Sequence, residues 1–256
     1  MIDFPVYLIN LDDSTERLRS AAGQLDRAGL AFERVPAFDG RTRPAGQFPG
    51  HDPDAARRRL GRPMRGGEIG CYLSHLDCLD HFLRTGSELC LVLEDDVLLD
   101  AAFVAGLEGL LDWLGPRREN WDIVHLAPVR HKIFTPLGAL GAGHGLTHAH
   151  YFPMTTTALL WTRTGAQAFV AQNRAIMAPI DMQMRHWLAR RDRGLAVWPP
   201  LAATTGADSE IASHSQPKRS SGGRHPLYPL IRQVRMAGDR LWAMRHKWQG
   251  KAGQPR

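Results

Sequence analysis

The chain has 256 residues, 43% of them hydrophobic and 23% charged, which is typical of a globular protein with a substantial core. Its net charge of +6 lies at one end: residues 217–256 contain ten basic residues and one acid, so residues 1–216 contain 22 basic and 25 acidic residues and carry −3. An acidic main domain argues against nucleic-acid binding, and no run approaches the ~18 apolar residues of a membrane-spanning helix.

The cysteines and the N-terminal residues indicate the cellular compartment of the protein. Cys71, Cys78 and Cys90 show neither a disulfide framework nor metal-binding spacing, which is typical of a reducing environment. The first residues include Asp3 and lack the basic segment of a signal peptide, so we interpret them as the start of a first strand. These features predict a cytoplasmic protein.

The first 40 residues follow a strand–helix–strand pattern. Residues 6–11 form an apolar run with β-branched and aromatic side chains, which favours a strand. Asp13 and Glu16 have the spacing of a capping box, and apolar residues then recur at helical spacing until Gly29. A second strand at residues 31–36 precedes the turn signal at 39–40. This unit is typical of a parallel sheet.

The remainder of the main domain continues this alternation. Residues 41–66 and 128–154 lack clear periodicity, so we predict a long loop and a loop-rich excursion there. The predicted helices are residues 68–83, 102–114, 164–172, capped by Thr164, and 181–191, capped by Asp181; the predicted strands are residues 89–93, 121–126, 158–162 and 195–198. We therefore predict one α/β domain, residues 1–216, with a mostly parallel central sheet.

Residues 89–96 carry the clearest chemical signal. Five apolar residues run into three consecutive acids, Glu94, Asp95 and Asp96. Carboxylates at the carboxyl end of a buried strand lie where open α/β sheets bind ligands, and their repulsion favours a divalent cation that also bridges to phosphate. In an extended chain Glu94 and Asp96 would share one face and Asp95 would point to the other. The alternative is a solvated acidic turn.

Three histidines lie in the glycine-rich excursion. His144, His148 and His150 are spaced by four and two residues. A zinc site would need rigid spacing and a fourth ligand, and no cysteine is near. We therefore predict an acceptor-side loop there rather than a zinc site.

The C-terminal segment, residues 217–256, is predicted to be a basic linker followed by a basic amphipathic helix. Apolar residues recur at steps of three or four, and the other faces carry arginine and lysine; the apolar positions are Leu227, Leu230, Ile231, Val234, Ala237, Leu241, Met244 and Trp248. This composition is typical of helices that lie on an anionic membrane surface, which we predict for residues 226–248. The alternative is a helix packed on the domain with its arginines solvated.

Four stretches occur in an order that matches one protein family. They are V-Y-L-I-N-L-D-D-S-T-E-R at residues 6–17, F-D-G at 38–40, G-E-I-G-C-Y-L-S-H at 67–75 and L-V-L-E-D-D-V at 91–97. Over about residues 4–215 the sequence resembles glycosyltransferase family 25, the bacterial lipooligosaccharide and lipopolysaccharide biosynthesis group related to collagen galactosyltransferases. The resemblance implies a GT-A fold with a single nucleotide-sugar-binding domain. It also implies metal-dependent, inverting transfer of a hexose, usually galactose, from a UDP-sugar.

The resemblance and the chemistry of an inverting transfer together suggest residue roles. A cation, Mn²⁺ or Mg²⁺, must neutralise the leaving diphosphate, and a carboxylate must take the proton of the acceptor hydroxyl. We assign metal binding to Asp96 and Glu94, completed by His214. We assign the base to Asp181, with Glu210 as the second candidate. The predicted donor contacts are Asn10, Arg17, Asp39, Glu94 and Asp95, and the predicted acceptor contacts are Ser74 and His75.

Each role has a simpler alternative. Asp181 can be a plain helix N-cap, and His214 can be an exposed side chain in a serine-rich loop. Arg17 can be a solvated helix residue, and His75 a core histidine bonded to backbone. The whole domain can also be a non-catalytic, membrane-docked module that binds nucleotide sugar or glycan in a polysaccharide assembly complex. The intact acids favour the enzyme, which would act on a glycan or glycolipid at the inner face of the cytoplasmic membrane.

Overall fold

The computed structural model describes residues 2–41, 44–115, 120–205 and 224–252. Its described strands are β1 (Val6–Asn10), β2 (Glu33–Pro36), β3 (Leu89–Glu94), β4 (Val97–Leu99), β5 (Ile123–His125), β6 (Thr135–Gly141), β7 (His144–His148), β8 (Ala158–Thr162), β9 (Gly194–Trp198) and β10 (Ala202–Thr204). Its described α-helices are α1 (Thr15–Arg27), α2 (Pro53–Leu60), α3 (Gly66–Arg84), α4 (Phe103–Leu114), α5 (Arg163–Gln172), α6 (Ile180–Arg191) and α7 (Tyr228–Ala252).

Eight strands form one sheet in the order β2-β1-β3-β8-β5-β9-β7-β6, and β4 pairs separately with β10. β1 is parallel to both β2 and β3, and β5 is parallel to β9. β8 and β7 run against their neighbours, so six of the eight strands point in one direction. The predicted α/β class, the mostly parallel sheet and the C-terminal helix are confirmed.

Helices cover both faces of the sheet, because its central strands are apolar on both sides. In β3, Cys90 and Val92 pack in the core layer that contains α3, α5 and α6. Leu91 and Leu93 pack in the opposite layer, which contains α1 and α4. Burying each leucine stabilises the fold by about 1.5–3 kcal/mol, so β3 is held firmly between the layers. This packing positions the acids at its carboxyl end.

Two segments predicted to be irregular contain regular structure, and those predictions were wrong there. α2 begins at Pro53, and the carboxylate of its N-cap, Asp52, accepts a hydrogen bond from the backbone N of Ala55 at 2.8 Å. β6 and β7 form a hairpin whose second strand pairs with β9. Glycine and histidine have little strand preference, and β9 lies much later in the chain, so local sequence carries no signal for this hairpin.

Three helix caps differ from those predicted. Ser14 occupies the N-cap position of α1, Thr162 that of α5 and Pro179 that of α6. The capping predictions were therefore wrong for Asp13, Thr164 and Asp181. Asp181 instead lies in the first turn of α6, where the positive end of the helix dipole still favours a carboxylate.

The C-terminal helix α7 packs on the domain. The Nη1 of Arg235 donates to the carbonyl O of Arg59, next to the end of α2, at 3.2 Å. The carboxylate of Asp239 lies 2.9 Å from the Nδ1 of His186 on α6. None of the helices in the described ranges is long and apolar enough to cross a bilayer. The predicted boundary after residue 216 lies outside the described residues and stays a prediction.

Candidate active site

A cleft opens at the carboxyl ends of β1 and β3. It brings together the end of β1, part of α1, the turn after β2, the first turns of α3 and the acids after β3. Seven of the predicted site residues line it: Asn10, Arg17, Asp39, Ser74, Glu94, Asp95 and Asp96. This edge of the sheet is where open α/β folds bind ligands, so the structure collects the predicted residues in a chemically reasonable place.

One wall of the cleft is a turn pressed against the N-terminal part of α3. A Cβ atom at Gly40 would collide with the carbonyl group of Gly66, and one at Gly70 would collide with that of Phe38, so only glycine permits this approach. Ser74 fixes the same turn, because its Oγ accepts a hydrogen bond from the backbone N of Phe38 at 2.9 Å. The Phe38 ring is left 44% exposed on the cleft.

Asp39 and Arg41 form a charged rim beside this turn. The two carboxylate oxygens of Asp39 each accept a hydrogen bond from the Arg41 guanidinium at 2.8 Å. Arg41 also donates to Asp13 at 2.6 Å. These hydrogen bonds, above all the one with Asp39, raise the pKa of Arg41. Asp39 therefore positions a permanent cation at the mouth of the cleft.

Asp95 is held by two of the predicted donor-site residues. The Nδ2 of Asn10 donates to Asp95 Oδ2 at 2.7 Å, and Arg17 forms an ion pair with Asp95 Oδ1. Arg17 also lies 3.9 Å from Asp96, and Arg34 donates to the Oδ1 of Asn10 at 2.9 Å. Asn10 and Asp95 are buried, whereas the Arg17 side chain is 26% exposed. Arg17 is therefore a cation oriented into the cleft rather than a solvated helix residue.

Glu94 faces α3 and the segment before β8. Its Oε1 lies 3.1 Å from the Nε2 of His75, 2.7 Å from the Oγ1 of Thr156 and 3.6 Å from the Sγ of Cys71. Burial alone would raise the pKa of Glu94, but the hydrogen bond and charge of His75 and the bond from Thr156 lower it overall. His75 is 1% exposed and reaches the cleft through Glu94, so its direct contact with an acceptor stays a prediction.

Asp96 is the carboxylate with unused bonding capacity. Its Oδ2 accepts a hydrogen bond from the Oγ1 of Thr204 at 2.9 Å, whereas its Oδ1 is buried without a partner among the described residues. Burial, and then the charge of Glu94, raise the pKa of Asp96 to about 6. A hard divalent cation would bond the buried oxygen and offset the repulsion between the two carboxylates. The buried oxygen of Asp96 fits the metal that the resemblance implies.

The three acids do not follow one extended strand. β3 ends at Glu94, and the chain turns at Asp95 and Asp96 before β4, so the expectation of strict alternation through Asp96 was wrong. Cys71, His75 and Glu94 form another group that could hold a metal ion. Its sulfur and nitrogen donors suit zinc better than magnesium. Burial raises the pKa of the Cys71 thiol well above its ordinary value, so the thiol is protonated at neutral pH when no metal is bound.

Asp181 is close to the cleft without lining it. Its Oδ1 accepts a hydrogen bond from the backbone N of Met182 at 2.7 Å. Burial, and then the charges of Glu94 and Asp181, raise the pKa of Cys71, which is part of the cleft wall. Burial also raises the pKa of Asp181 itself, against the opposing effects of Met182 and Arg185. A raised pKa makes a carboxylate a better base near neutral pH, which is compatible with the predicted role.

A strained segment between β7 and β8 connects Asp181 with the acids. Thr155 has a φ of 79°, which β-branched residues rarely adopt, and its backbone bonds Asp181. The adjacent Thr156 bonds Glu94. The Nε2 of His125 lies 3.1 Å from the carbonyl O of Thr155, and burial lowers the pKa of His125 to about 4, so the imidazole is neutral at pH 7. Such strain is typical of functional sites.

Two of the three histidines lie in a strand and not in the predicted loop, whereas His150 lies in irregular structure just after it. His144 begins β7 and His148 ends it. His148 and His150 lie 3.2 and 2.7 Å from one carboxylate oxygen of Asp192, the left-handed residue that ends α6. Burial alone would raise the pKa of Asp192, but the two imidazoles hold this pKa well below its usual range. His148, His150 and Asp192 could hold a metal, while His144 is not a member of that group.

Several site residues were missed in the sequence. Phe38 belongs to the F-D-G motif, so its exposure on the cleft could have been suspected. Thr156 and Thr204 carry no local signal, because the fold brings them to the acids, Thr204 through the pairing of β10 with β4. Glu210 and His214 lie outside the described residues, so their roles stay predictions.

Comparison with known proteins identifies related sequences. Residues 3–132 match the model of a family described as Glycosyltransferase family 25 (LPS biosynthesis protein). Procollagen galactosyltransferase 1 of Danio rerio is 26% identical over 185 residues, which cover 69% of this chain and 30% of the relative. A glycosyltransferase 25 family member of Anopheles gambiae is 33% identical over 132 residues, which cover 49% of this chain and 22% of the relative. Probable inactive glycosyltransferase 25 family member 3 of Bos taurus is 26% identical over 238 residues, which cover 83% of this chain and 38% of the relative.

These matches cover the motif-bearing part of the chain. They confirm the resemblance drawn from the ordered motifs. The chain spans less than two-fifths of the length of these relatives. The activities of the whole relatives therefore enter below only as support for proposals.

Proposed function

Since this chain belongs to glycosyltransferase family 25, we propose that it is an active, inverting transferase that moves a hexose from a UDP-sugar to a glycan. The observation that carries the proposal is the cleft in which Arg17 and three carboxylates converge beside the exposed Phe38. Relatives named procollagen galactosyltransferases support galactose as the sugar. The family description supports lipopolysaccharide, lipooligosaccharide or a similar bacterial surface glycan as the acceptor.

In this proposal the nucleoside of the donor lies against the turn that carries Phe38. An exposed aromatic ring can stack on a base, and such stacking contributes about 0.5–1.5 kcal/mol beyond the buried area. Arg17 and Arg41 would contact the diphosphate, because guanidinium groups match phosphate oxygens in geometry and charge. Asn10 and Asp95 keep Arg17 in place, which reduces the side-chain entropy lost on binding.

Asp96 and Glu94 are the residues that we propose hold Mn²⁺ or Mg²⁺, with His214 as a further ligand. A bound cation would neutralise the charge that develops on the leaving diphosphate. The support from this chain is the buried Oδ1 of Asp96, which has no partner among the described residues. His75 and Thr156 keep Glu94 ionised by lowering its pKa, so its negative charge is present at neutral pH.

Asp181 is the residue that we propose takes the proton of the acceptor hydroxyl. In an inverting transfer the acceptor attacks from the face of the sugar opposite the leaving diphosphate, and the base must lie on that side. Asp181 is supported by its nearness to the cleft residue Cys71 and by its raised pKa. Its bonds to Met182 and Thr155 hold the carboxylate in one orientation. Glu210 remains the second candidate.

The enzyme is proposed to work at the inner face of the cytoplasmic membrane, held there by α7. Four residues of its predicted apolar stripe are largely exposed: Leu230, Val234, Leu241 and Trp248 are 57%, 64%, 68% and 65% exposed. Arg245 lies on the same helix beside them. A row of exposed apolar side chains with basic neighbours suits an anionic lipid surface.

Vesicle binding tests this placement. Replacing Leu230 and Leu241 with serine should weaken co-sedimentation with phosphatidylglycerol vesicles, because these side chains are exposed and contribute little to the fold. Gln233→Ser on the same helix is the matched control, since Gln233 is exposed and polar. Equal binding by the double variant and the control would refute membrane attachment through this stripe.

Donor binding tests the enzymatic proposal. We expect calorimetry with a panel of UDP-sugars to show Mn²⁺-dependent binding of UDP-galactose, and slow release of UDP on incubation. The competing hypothesis is a non-catalytic binding module, which the name of the probable inactive relative in Bos taurus makes worth testing. Donor binding without UDP release in the presence of any surface-glycan acceptor would favour that module, and no binding of any UDP-sugar would refute the donor site.

A further inference from the structure

A second cavity, of about 370 Å³, lies beneath α7 and is walled by α6 and by segments before β6 and β8. Its charged lining is almost entirely basic: Arg130, Lys132, Arg185, Arg232, Arg235 and Arg240. The lining contains one carboxylate, that of Asp239. Asp239 is already engaged by His186 at 2.9 Å and Arg190 at 3.2 Å. The cavity therefore carries a large excess of positive charge.

The arginines of the cavity are bonded differently from three other arginines of the described chain. Arg62, Arg174 and Arg191 each have a carboxylate oxygen within 2.6 to 2.8 Å. Among the described residues, none of the six basic groups of the cavity forms an ion pair with a carboxylate. Clustered guanidinium groups repel one another, so the cavity is stabilised by any anion that enters it.

Two arginines show how the positive charge is held in place. Arg185 donates its Nε to the carbonyl O of Phe152 at 2.7 Å and lies over the ring of Tyr151, 4.3 Å from the centroid. Arg235 donates to the carbonyl O of Arg59 at 3.2 Å. These neutral partners orient the guanidinium groups without cancelling their charge. Burial lowers the pKa of both arginines, and the charges of Asp239 and, for Arg185, of Asp181 offset this effect only in part.

The cavity adjoins the residue proposed as the base. Thr155 and Met182 belong to its lining, and the backbone of each bonds the carboxylate of Asp181. On the other side, Asp181 influences Cys71 in the wall of the donor cleft. Asp181 thus lies between the donor cleft and the basic cavity.

We propose that the basic cavity binds an anionic group of the acceptor, a phosphate, diphosphate or carboxylate, and that α7 thereby forms one wall of the acceptor site. This deepens the proposed transferase function and rests on it. Guanidinium groups bind these anions through paired, charge-assisted hydrogen bonds. An acceptor anchored beside Thr155 and Met182 lies next to the carboxylate that takes its proton. The two sides of α7 then have separate functions, one in acceptor binding and the other in membrane attachment.

Binding of inorganic pyrophosphate to the 256-residue chain, measured by calorimetry without donor, tests the anion site. The test variant is Arg232→Gln combined with Arg240→Gln, because neither side chain bonds a backbone group of the domain in the described structure. The matched control is Arg245→Gln on the same helix, whose guanidinium lies over Trp242 and outside the cavity. Thermal unfolding of each variant checks the fold, and Lys132→Gln on the opposite wall replaces the double variant if that one fails to fold.

We expect the double variant to bind pyrophosphate roughly 10-fold more weakly than the wild type, and the control to bind it equally well. Pyrophosphate bound in the donor cleft would be unaffected by these substitutions, so a loss identifies the cavity. Equal affinity in the double variant and the control overturns the proposal. Because no UDP-sugar is present, this result is independent of whether the donor proposal succeeds.

A second experiment identifies the kind of molecule that carries the anion. Arg232→Gln combined with Arg240→Gln is compared with Gln233→Ser for binding to vesicles of phosphatidylglycerol, because Arg245 lies beside the stripe proposed to face the membrane. If the double variant loses both pyrophosphate and vesicle binding, the cavity accepts a lipid-linked phosphate at the membrane surface. If it loses only pyrophosphate binding, the anion is carried by the glycan itself. Both results support the anion site, and they separate its two possible occupants.

Discussion

The donor cleft and the basic cavity both contain many charged side chains, but acids are in excess in the cleft and basic groups are in excess in the cavity. In the cleft the cations are matched with carboxylates, Arg17 with Asp95 and Arg41 with Asp39, and a buried oxygen of Asp96 has no partner among the residues that the structure describes. In the cavity six basic side chains surround one carboxylate that is already engaged. The cleft therefore favours a further cation and the cavity favours an anion. Two adjacent sites with these needs suit a reaction that joins a metal-bound diphosphate donor to an anionic acceptor.

The largest effect is expected at Asp96, the carboxylate that we propose binds the metal. Asp96→Asn keeps the shape of the side chain but removes its charge, so we expect transfer to fall by at least about 10³-fold, or about 4 kcal/mol. UDP release with Mn²⁺ measures this loss. The free energy of unfolding of the metal-free variant should not fall, because a buried charge has been removed. Asp26→Asn, at an exposed acid, is the control, and full activity of Asp96→Asn would refute the metal role.

Asp181, between the two sites, should show the next largest effect. Asp181→Asn removes the proposed base, which should lower kcat by about 10²-fold or more. The affinity for UDP should be unchanged, since Asp181 does not line the cleft. Steady-state kinetics and calorimetry separate the two effects. A variant with normal kcat and reduced stability would show that Asp181 only stabilises the start of α6.

His125 contacts the strained segment at Thr155, which borders both sites. We expect its titration to affect the free energy of unfolding. Its pKa is lowered to about 4 in the folded protein, so between pH 6.5 and pH 4 the unfolded chain binds the extra proton. The stabilisation is fully present above pH 6.5 and is lost as the pH falls towards 4, by about 2 kcal/mol between pH 7 and pH 5. Urea unfolding should show that His125→Gln loses this part of the pH dependence. An identical pH profile in the variant would contradict the assignment.

The smallest predicted effect concerns Phe38 in the donor cleft. Phe38→Ala should weaken UDP binding by up to about 10-fold, because a stacking surface is removed. Phe38→Tyr should bind normally, since the ring is kept. The free energy of unfolding should change little in either variant, because the ring is 44% exposed. Calorimetry with UDP provides the comparison, and equal affinity for Phe38→Ala would place the nucleoside elsewhere.

Much of the fold and part of the site could be predicted from local patterns. β1, β3 and β8 were predicted because short runs of buried apolar residues make strands whatever their neighbours. The acids after β3 were predicted to lie at a ligand-binding edge because any residue after a strand of a parallel sheet lies there. The hairpin of β6 and β7 was not predicted, since its stability comes from pairing with the distant β9.

The helix α7 shows the same limit in another form. Its periodicity predicted an amphipathic helix, and two alternatives were open: attachment to a membrane or packing on the domain. The structure places one face, including Asp239 and Ala243, against the domain. It leaves the predicted apolar stripe exposed, including Leu241 and Trp248. Periodicity identifies the faces of a helix, but the partner of each face depends on where the rest of the chain folds.

The sequence by itself determined the family, the α/β class and seven of the residues that line the cleft, because ordered motifs and strand ends are local features of the chain. Only the tertiary structure decided which acid has a buried oxygen without a partner in the described part of the chain, which side chains hold the other two acids, and that six basic residues from separate segments surround one cavity. Charge balance is a property of groups within a few ångströms in space, and in this fold those groups come from segments far apart in sequence.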